Sequence, residues 1–123
     1  MDDFRTVRFL LGDMIFEYDE EKNRINLEKH GISLKNAALV FLDYNRIEYY
    51  DVNHSDINED RYSIIGSANQ SMIGSGNKGG IIFVVYTERT AYTEENKTVE
   101  ITRLISARKA TGFEKGIYYG KYN

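Results

Sequence analysis

The chain has no cysteine. That absence excludes a disulfide framework, a cysteine-bearing zinc site and a thiol nucleophile, and it fits a reducing compartment. An uninterrupted apolar stretch near the start is also missing. Phe9 to Phe16 is broken by Gly12 and Asp13, so neither a signal peptide nor a membrane span is expected and the chain reads as cytoplasmic. There are two histidines. No pair of histidine or carboxylate residues has the spacing that sets ligands on one helix face beside a third, so neither a metal nor another cofactor is expected. Positive charge is not in excess. With 16 Lys and Arg against 19 Asp and Glu the net charge is −3, which gives little bulk attraction for nucleic acid and requires any such site to be local.

Two suggestive strings lack the context they need. Gly74-Ser75-Gly76-Asn77-Lys78-Gly79 has the glycine spacing of a pyrophosphate-binding turn, but a strand follows it where one should precede it, so it reads as a hairpin loop. Asp56-Ile57-Asn58-Glu59-Asp60 matches a calcium loop only in composition, lacking the glycine and the final glutamate in register, and reads as a solvated turn.

What is present describes one globular domain. Hydrophobic residues make up 41% and charged residues 28% of 123 positions, enough for a single core spanning residues 1–123. Charge is uneven along it. Residues 98–123 hold Arg103, Arg108, Lys109, Lys115 and Lys121 against Glu100 and Glu114, so this segment is +3 and the remainder −6.

Met14-Ile15-Phe16-Glu17-Tyr18 reads as a strand, and Asp19 as the N-cap of a helix that runs to Lys29 or His30 and stops at Gly31. Ser33 caps a second helix, with Leu34, Ala37, Ala38 and Phe41 on one face and an end near Asp43. Period-two patterning over residues 47–52 and 62–65 predicts two strands that pair through the polar turn at 53–60. The apolar run from Ile81 to Tyr86 predicts a central strand covered on both faces, and Val99 to Ala107 the last strand. The fold class is therefore α+β: an N-terminal strand and two helices on one face of a mainly antiparallel sheet of about four to five strands, then a short C-terminal helix.

Blocks of this sequence, in this order, resemble the BrnT toxin family over about residues 16–111. They are Phe16-Glu17-Tyr18-Asp19, Lys22, Asn26, Lys29-His30-Gly31-Ile32, Ala37-Ala38, Val40-Phe41, Asp51, His54-Ser55, Glu59, Arg61-Tyr62, Ile65-Gly66, Val84 to Arg89, and Arg103 to Thr111. Tyr18 stands where a Trp is common, the loops at 67–80 and 90–98 are longer, and residues precede Phe16 that the family pattern lacks. The resemblance implies a RelE-like fold, cleavage of an RNA substrate, and a cognate BrnA-type antitoxin that caps the toxin and carries the complex to operator DNA, as a homodimer or a heterotetramer with the antitoxin.

Cleavage of RNA by its own 2′-hydroxyl requires a proton acceptor, a proton donor and positive charge on the phosphorane. His54, in a polar loop between strands, is the natural proton carrier. Arg61, Arg89 and Arg103 suit the phosphate because a guanidinium fork matches its oxygens, and Lys29 could assist. Arg103 lies between apolar residues within a strand, so its alternative is an ion pair with Glu88, Glu100 or another carboxylate. Lys22, His30, Arg108 and Lys109 are candidate RNA contacts; for His30 a role as helix C-terminal cap competes. Tyr86 could stack a base or donate a proton, or simply pack with its hydroxyl outward. Two other readings differ in kind. One is a toxin-like binding module without cleavage, serving as antitoxin partner and co-repressor. The other is an interaction domain that dimerises through an exposed strand and its ten tyrosines.

Overall fold

The computed structural model describes residues 5–52, 55, 59–68 and 80–122. Its elements are β1 (Thr6–Leu11), β2 (Met14–Asp19), α1 (Glu20–His30), α2 (Leu34–Ala37), a 3-10 helix (Ala38–Leu42), β3 (Ile47–Tyr50), β4 (Arg61–Ser67), β5 (Ile81–Tyr92), β6 (Thr98–Lys109) and α3 (Gly112–Tyr118). The strands form one six-stranded sheet in the order β1-β2-β6-β5-β4-β3. β2 runs parallel to β6, and every other neighbouring pair is antiparallel.

The expected α+β class holds, and the strand count is corrected from four or five to six. The added strand is β1. Val7, Phe9 and Leu11 pack against the core, but Leu10 between them is 70% exposed, and that outward leucine hides the alternation. Gly12 closes the β1–β2 hairpin at φ 63°, a left-handed conformation that glycine adopts without a Cβ penalty.

Asp19 caps α1 by accepting from the Lys22 amide at 3.0 Å, and Gly31 ends it at φ 71° with its N–H on the Leu27 carbonyl. The helix has no apolar stripe, and its one buried residue is Asn26. That side chain does the docking. Its Nδ2 donates to the carbonyls of Ala107 and Ile32, each at 2.9 Å, while its Oδ1 accepts from the Ala107 amide at 3.0 Å. β2 pairs with β6 only as far as Arg103. Beyond that point no strand among the described residues lies beside this edge of β6, and the Asn26 amide takes the place of one residue of a ladder.

Ser33 caps α2 by accepting from the Asn36 amide at 3.1 Å. The expected second helix tightens to 3-10 geometry at Ala38, and Leu34, Ala37, Ala38, Val40 and Phe41 are all buried against the sheet. Rings carry the core across it, from Phe16 to Phe41 at 5.1 Å, Phe41 to Tyr86 at 5.0 Å and Tyr86 to Tyr62 at 5.5 Å.

The opposite face is not fully open. At its β4 end, Ile65, Ile81 and Ala110 form a second cluster with Phe83, Ile117 and Tyr118, which brings α3 onto the sheet. A reciprocal capping box between Thr111 and Glu114 starts α3. The Tyr118 hydroxyl donates to Asp43 at 2.6 Å, and Tyr122 approaches Gly116 so closely that a Cβ there would meet its ring at 2.6 Å.

One irregularity sets which side chains share a face. Val85 pairs with Ser106 and Tyr86 with Leu104, so Ile105 is an extra residue in β6. Leu104 and Ala107 therefore both enter the core, and Arg103 and Ser106 both face the other way, despite odd spacing. β5 itself alternates without interruption, which keeps Arg89 on the face of Thr87.

Candidate functional site

Direct cross-strand partners point to the same side of a sheet. Arg8 pairs with Glu17, Glu17 with Arg103, Arg103 with Thr87, and Thr87 with Arg61. One row thus crosses β1, β2, β6, β5 and β4 on the face away from α1 and α2, and Arg89 stands beside it two residues along β5. This brings together Arg61, Arg89 and Arg103 from the sequence-derived set and adds Arg8 and Glu17.

Glu17 is the centre of the row. It is 1% exposed, between Phe16 and Tyr18 that point into the core. Its Oε1 accepts from Arg8 Nη2 at 2.8 Å and Nε at 3.3 Å and from Arg89 Nη2 at 2.8 Å. Its Oε2 accepts from Arg89 Nε at 2.9 Å and Arg103 Nη1 at 3.0 Å. Burial alone would raise its pKa, but hydrogen bonds from Arg89, Arg8 and Arg103 outweigh it and hold the carboxyl down at about 2. The ion-pair alternative for Arg103 is therefore realised, with Glu17 as the carboxylate. The three arginine side chains remain 40%, 38% and 30% exposed, for Arg8, Arg89 and Arg103 respectively.

A second basic feature lies where α1 passes the bulge of β6. Lys22, Ile25, Asn26, Lys29, His30, Ile105 and Ser106 line a half-open cleft of about 200 Å³. The last turn of α1 carries Lys29 and His30, next to the negative end of the helix dipole. Neither Lys22 nor Lys29 makes an ion pair among the described residues. Ser106 is on the same face as Arg103, so β6 connects the cleft to the arginine row.

The remaining expectations separate. His54 lies outside the described residues. Its neighbour Ser55 links Asp51 to the start of β4: the hydroxyl donates to the Asp51 carbonyl at 2.6 Å and accepts from the Arg61 amide at 2.8 Å. Arg61 Nε donates to Glu59 at 3.1 Å. Lys109 is exposed at the end of β6. One expectation is corrected. Tyr86 is 1% exposed and cannot stack on a base; its hydroxyl donates to Glu48 at 2.9 Å, and burial followed by that carboxylate pushes the phenol well above its ordinary range. Arg108 grips Glu114 through both Nη atoms at 2.8 and 2.9 Å, lies 4.2 Å from the centroid of Phe83 and stays 36% exposed, paired much as Arg103 is with Glu17.

Charge is sorted by face. Glu48, Glu88 and Glu100 belong to the side of Tyr86 and Leu104, where Glu48 bonds Tyr86 and Thr90 donates to Glu100. Burial, then Glu48 and Glu100, raises the Glu88 carboxyl above the usual range. The arginine row is on the reverse side. Among the described residues no three His, Cys, Asp or Glu side chains cluster as metal ligands, and no helix is long and apolar enough to cross a membrane.

Glu17 and Arg8 had a legible signal. A lone carboxylate between Phe16 and Tyr18 in a strand poses the same question as Arg103 between Thr102 and Leu104, and the two residues answer each other.

The structure thus defines a class, a small α+β protein with its helical layer on one side of a mixed sheet and guanidinium groups ranked across the other. Residues 18–114 match BrnT, the ribonuclease toxin of type II toxin-antitoxin systems, and the chain belongs to that family. Family membership gives it RNA as target and an antitoxin as partner. No curated protein matches the chain.

Proposed function

We propose that the chain is an endoribonuclease toxin that cleaves RNA without a metal, by attack of the 2′-hydroxyl, and so inhibits translation and growth. The observation that carries this reading is the row of arginines on one sheet face of an otherwise acidic chain. Arg103, Arg89 and Arg61 stabilise the scissile phosphate as charge builds on it, and His54 moves the proton. Lys29 assists from the cleft, where Lys22 and His30 hold the neighbouring backbone. A BrnA-type antitoxin covers this face and takes the complex to operator DNA. The RelE-like fold belongs to the same reading, supported by the helical layer on a mixed sheet.

The test is incubation of purified, EDTA-treated protein with total RNA, beside Arg103→Ala and His54→Ala. Cleavage by the wild type and loss in both variants is the expected result. Equal cleavage by all three would remove these residues from the site.

One observation favours a second reading. Arg89 and Arg103 are both bonded to Glu17, as they would be in a toxin-like module that only binds its antitoxin and represses transcription. RNA cleavage that a point change abolishes excludes that reading as the main function.

A further inference from the structure

We propose that Glu17 is a positioning residue: it gathers Arg8, Arg89 and Arg103 into one cradle for the scissile phosphodiester. The inference rests on the ribonuclease reading and extends it to two residues outside the sequence-derived site, of which Arg8 lies well before the matched segment 18–114.

Three guanidiniums from β1, β5 and β6 meet at one carboxylate, and five N–H groups point at its two oxygens. A carboxylate offers about four lone-pair sites, so it is saturated. Without that anion the three like charges would repel one another and turn to water. With it, the four side chains themselves sum to +2 and are fixed on a sheet rather than on a loop. Arg103 bonds Glu17 through Nη1 alone and makes no other hydrogen bond among the described residues, leaving Nε and Nη2 for a ligand. The three side chains stay 40%, 38% and 30% exposed, for Arg8, Arg89 and Arg103, on the sheet face away from α1 and α2.

Such an arrangement is suited to charge that develops during reaction. The donors are already oriented, so none has to reorganise as the phosphorane forms. Arg8 comes from β1, beyond the matched segment, so the third arm of the cradle belongs to this chain's own N-terminal hairpin.

The experiment measures binding of a 2′-O-methyl oligoribonucleotide, which cannot be cleaved by its own 2′-oxygen, and steady-state cleavage of the matching RNA. It compares wild type, Glu17→Gln and Arg8→Gln. Glu17→Gln is expected to lower kcat at least tenfold while affinity and KM change less than twofold or tighten, because one negative charge is removed from among the three guanidiniums. Arg8→Gln is expected to weaken binding several-fold and to reduce the slope of log affinity against log salt by about 0.7, the value for one phosphate contact on a single strand. Unchanged kcat in Glu17→Gln overturns the proposal, as does an equal loss of kcat and affinity, which would mark a structural role. If Glu17→Gln does not fold, Arg8→Gln decides, and an unchanged salt slope overturns it. Binding without cleavage by the wild type defeats the ribonuclease reading instead; the cradle then stands if Arg8→Gln weakens binding and falls if it does not.

Discussion

Acidification is expected to strip stability from this protein through one buried carboxylate. An ordinary glutamate titrates near 4.5, and in the folded chain Glu17 is held at about 2 by its three guanidinium partners. The difference of about 2.5 units corresponds to roughly 3 kcal/mol at about 1.4 kcal/mol per unit. The folded pKa is depressed, so this contribution is fully present above the unfolded value and is lost as pH falls towards 2. Between pH 7 and pH 3 the loss should be about 2 kcal/mol, since at pH 3 the unfolded carboxyl is almost fully protonated and the folded one is still mostly ionised. Glu17 is 1% exposed, so solvent screening does not reduce the figure much. The assay is urea unfolding of wild type and Glu17→Gln at pH 7, 5, 4 and 3. The gap between the two is expected to narrow steadily below pH 5. Parallel stability curves for the two proteins down to pH 3 would refute the reasoning.

Asn26→Ala should cost roughly 2–4 kcal/mol, because it strands the buried N–H and carbonyl of Ala107 on the β6 edge; thermal unfolding measures it, and a change below 1 kcal/mol would contradict the docking role. Tyr118→Phe should cost about 1 kcal/mol by removing the hydroxyl bond that ties α3 to Asp43, read by urea midpoint. Lys22→Gln with Lys29→Gln should leave the near-ultraviolet circular dichroism unchanged and weaken binding of a 2′-O-methyl oligoribonucleotide, with a salt slope lower by about 0.7 for each phosphate that is no longer neutralised; an unchanged slope would take the α1 cleft out of the RNA path.

Local chemistry made much of the fold legible. The caps Asp19, Gly31 and Ser33 act where the sequence places them because each depends on its own side chain or backbone and on amides one turn away. The unbroken apolar run became β5, buried between β4 and β6. What escaped depends on partners distant in sequence. β1 was hidden by the outward Leu10. α1, with no apolar stripe, docks through Asn26 on a strand that comes 81 residues later, a relationship no periodicity reports. The arginines were legible as a set, but their meeting point was not. Arg103 announced a need for a counter-charge by its apolar neighbours, yet Glu17 could be matched to it only after β2 was known to lie parallel beside β6. Arg108 also has a partner that its place in the basic segment did not announce, the capping glutamate one turn into α3.

The sheet also separates two electric potentials. Glutamates 48, 88 and 100 lie on one side, and on the other arginines 8, 61, 89 and 103 outnumber Glu17, so the sheet of a chain of net charge −3 carries a transverse dipole that the total charge conceals. A polyanion is drawn more to the arginine side of the sheet than to the glutamate side, and the preference acts over about a Debye length, near 8 Å in physiological salt. For a member of a family whose target is RNA, a long flexible polyphosphate, the glutamates behind the sheet then favour approach from the arginine side.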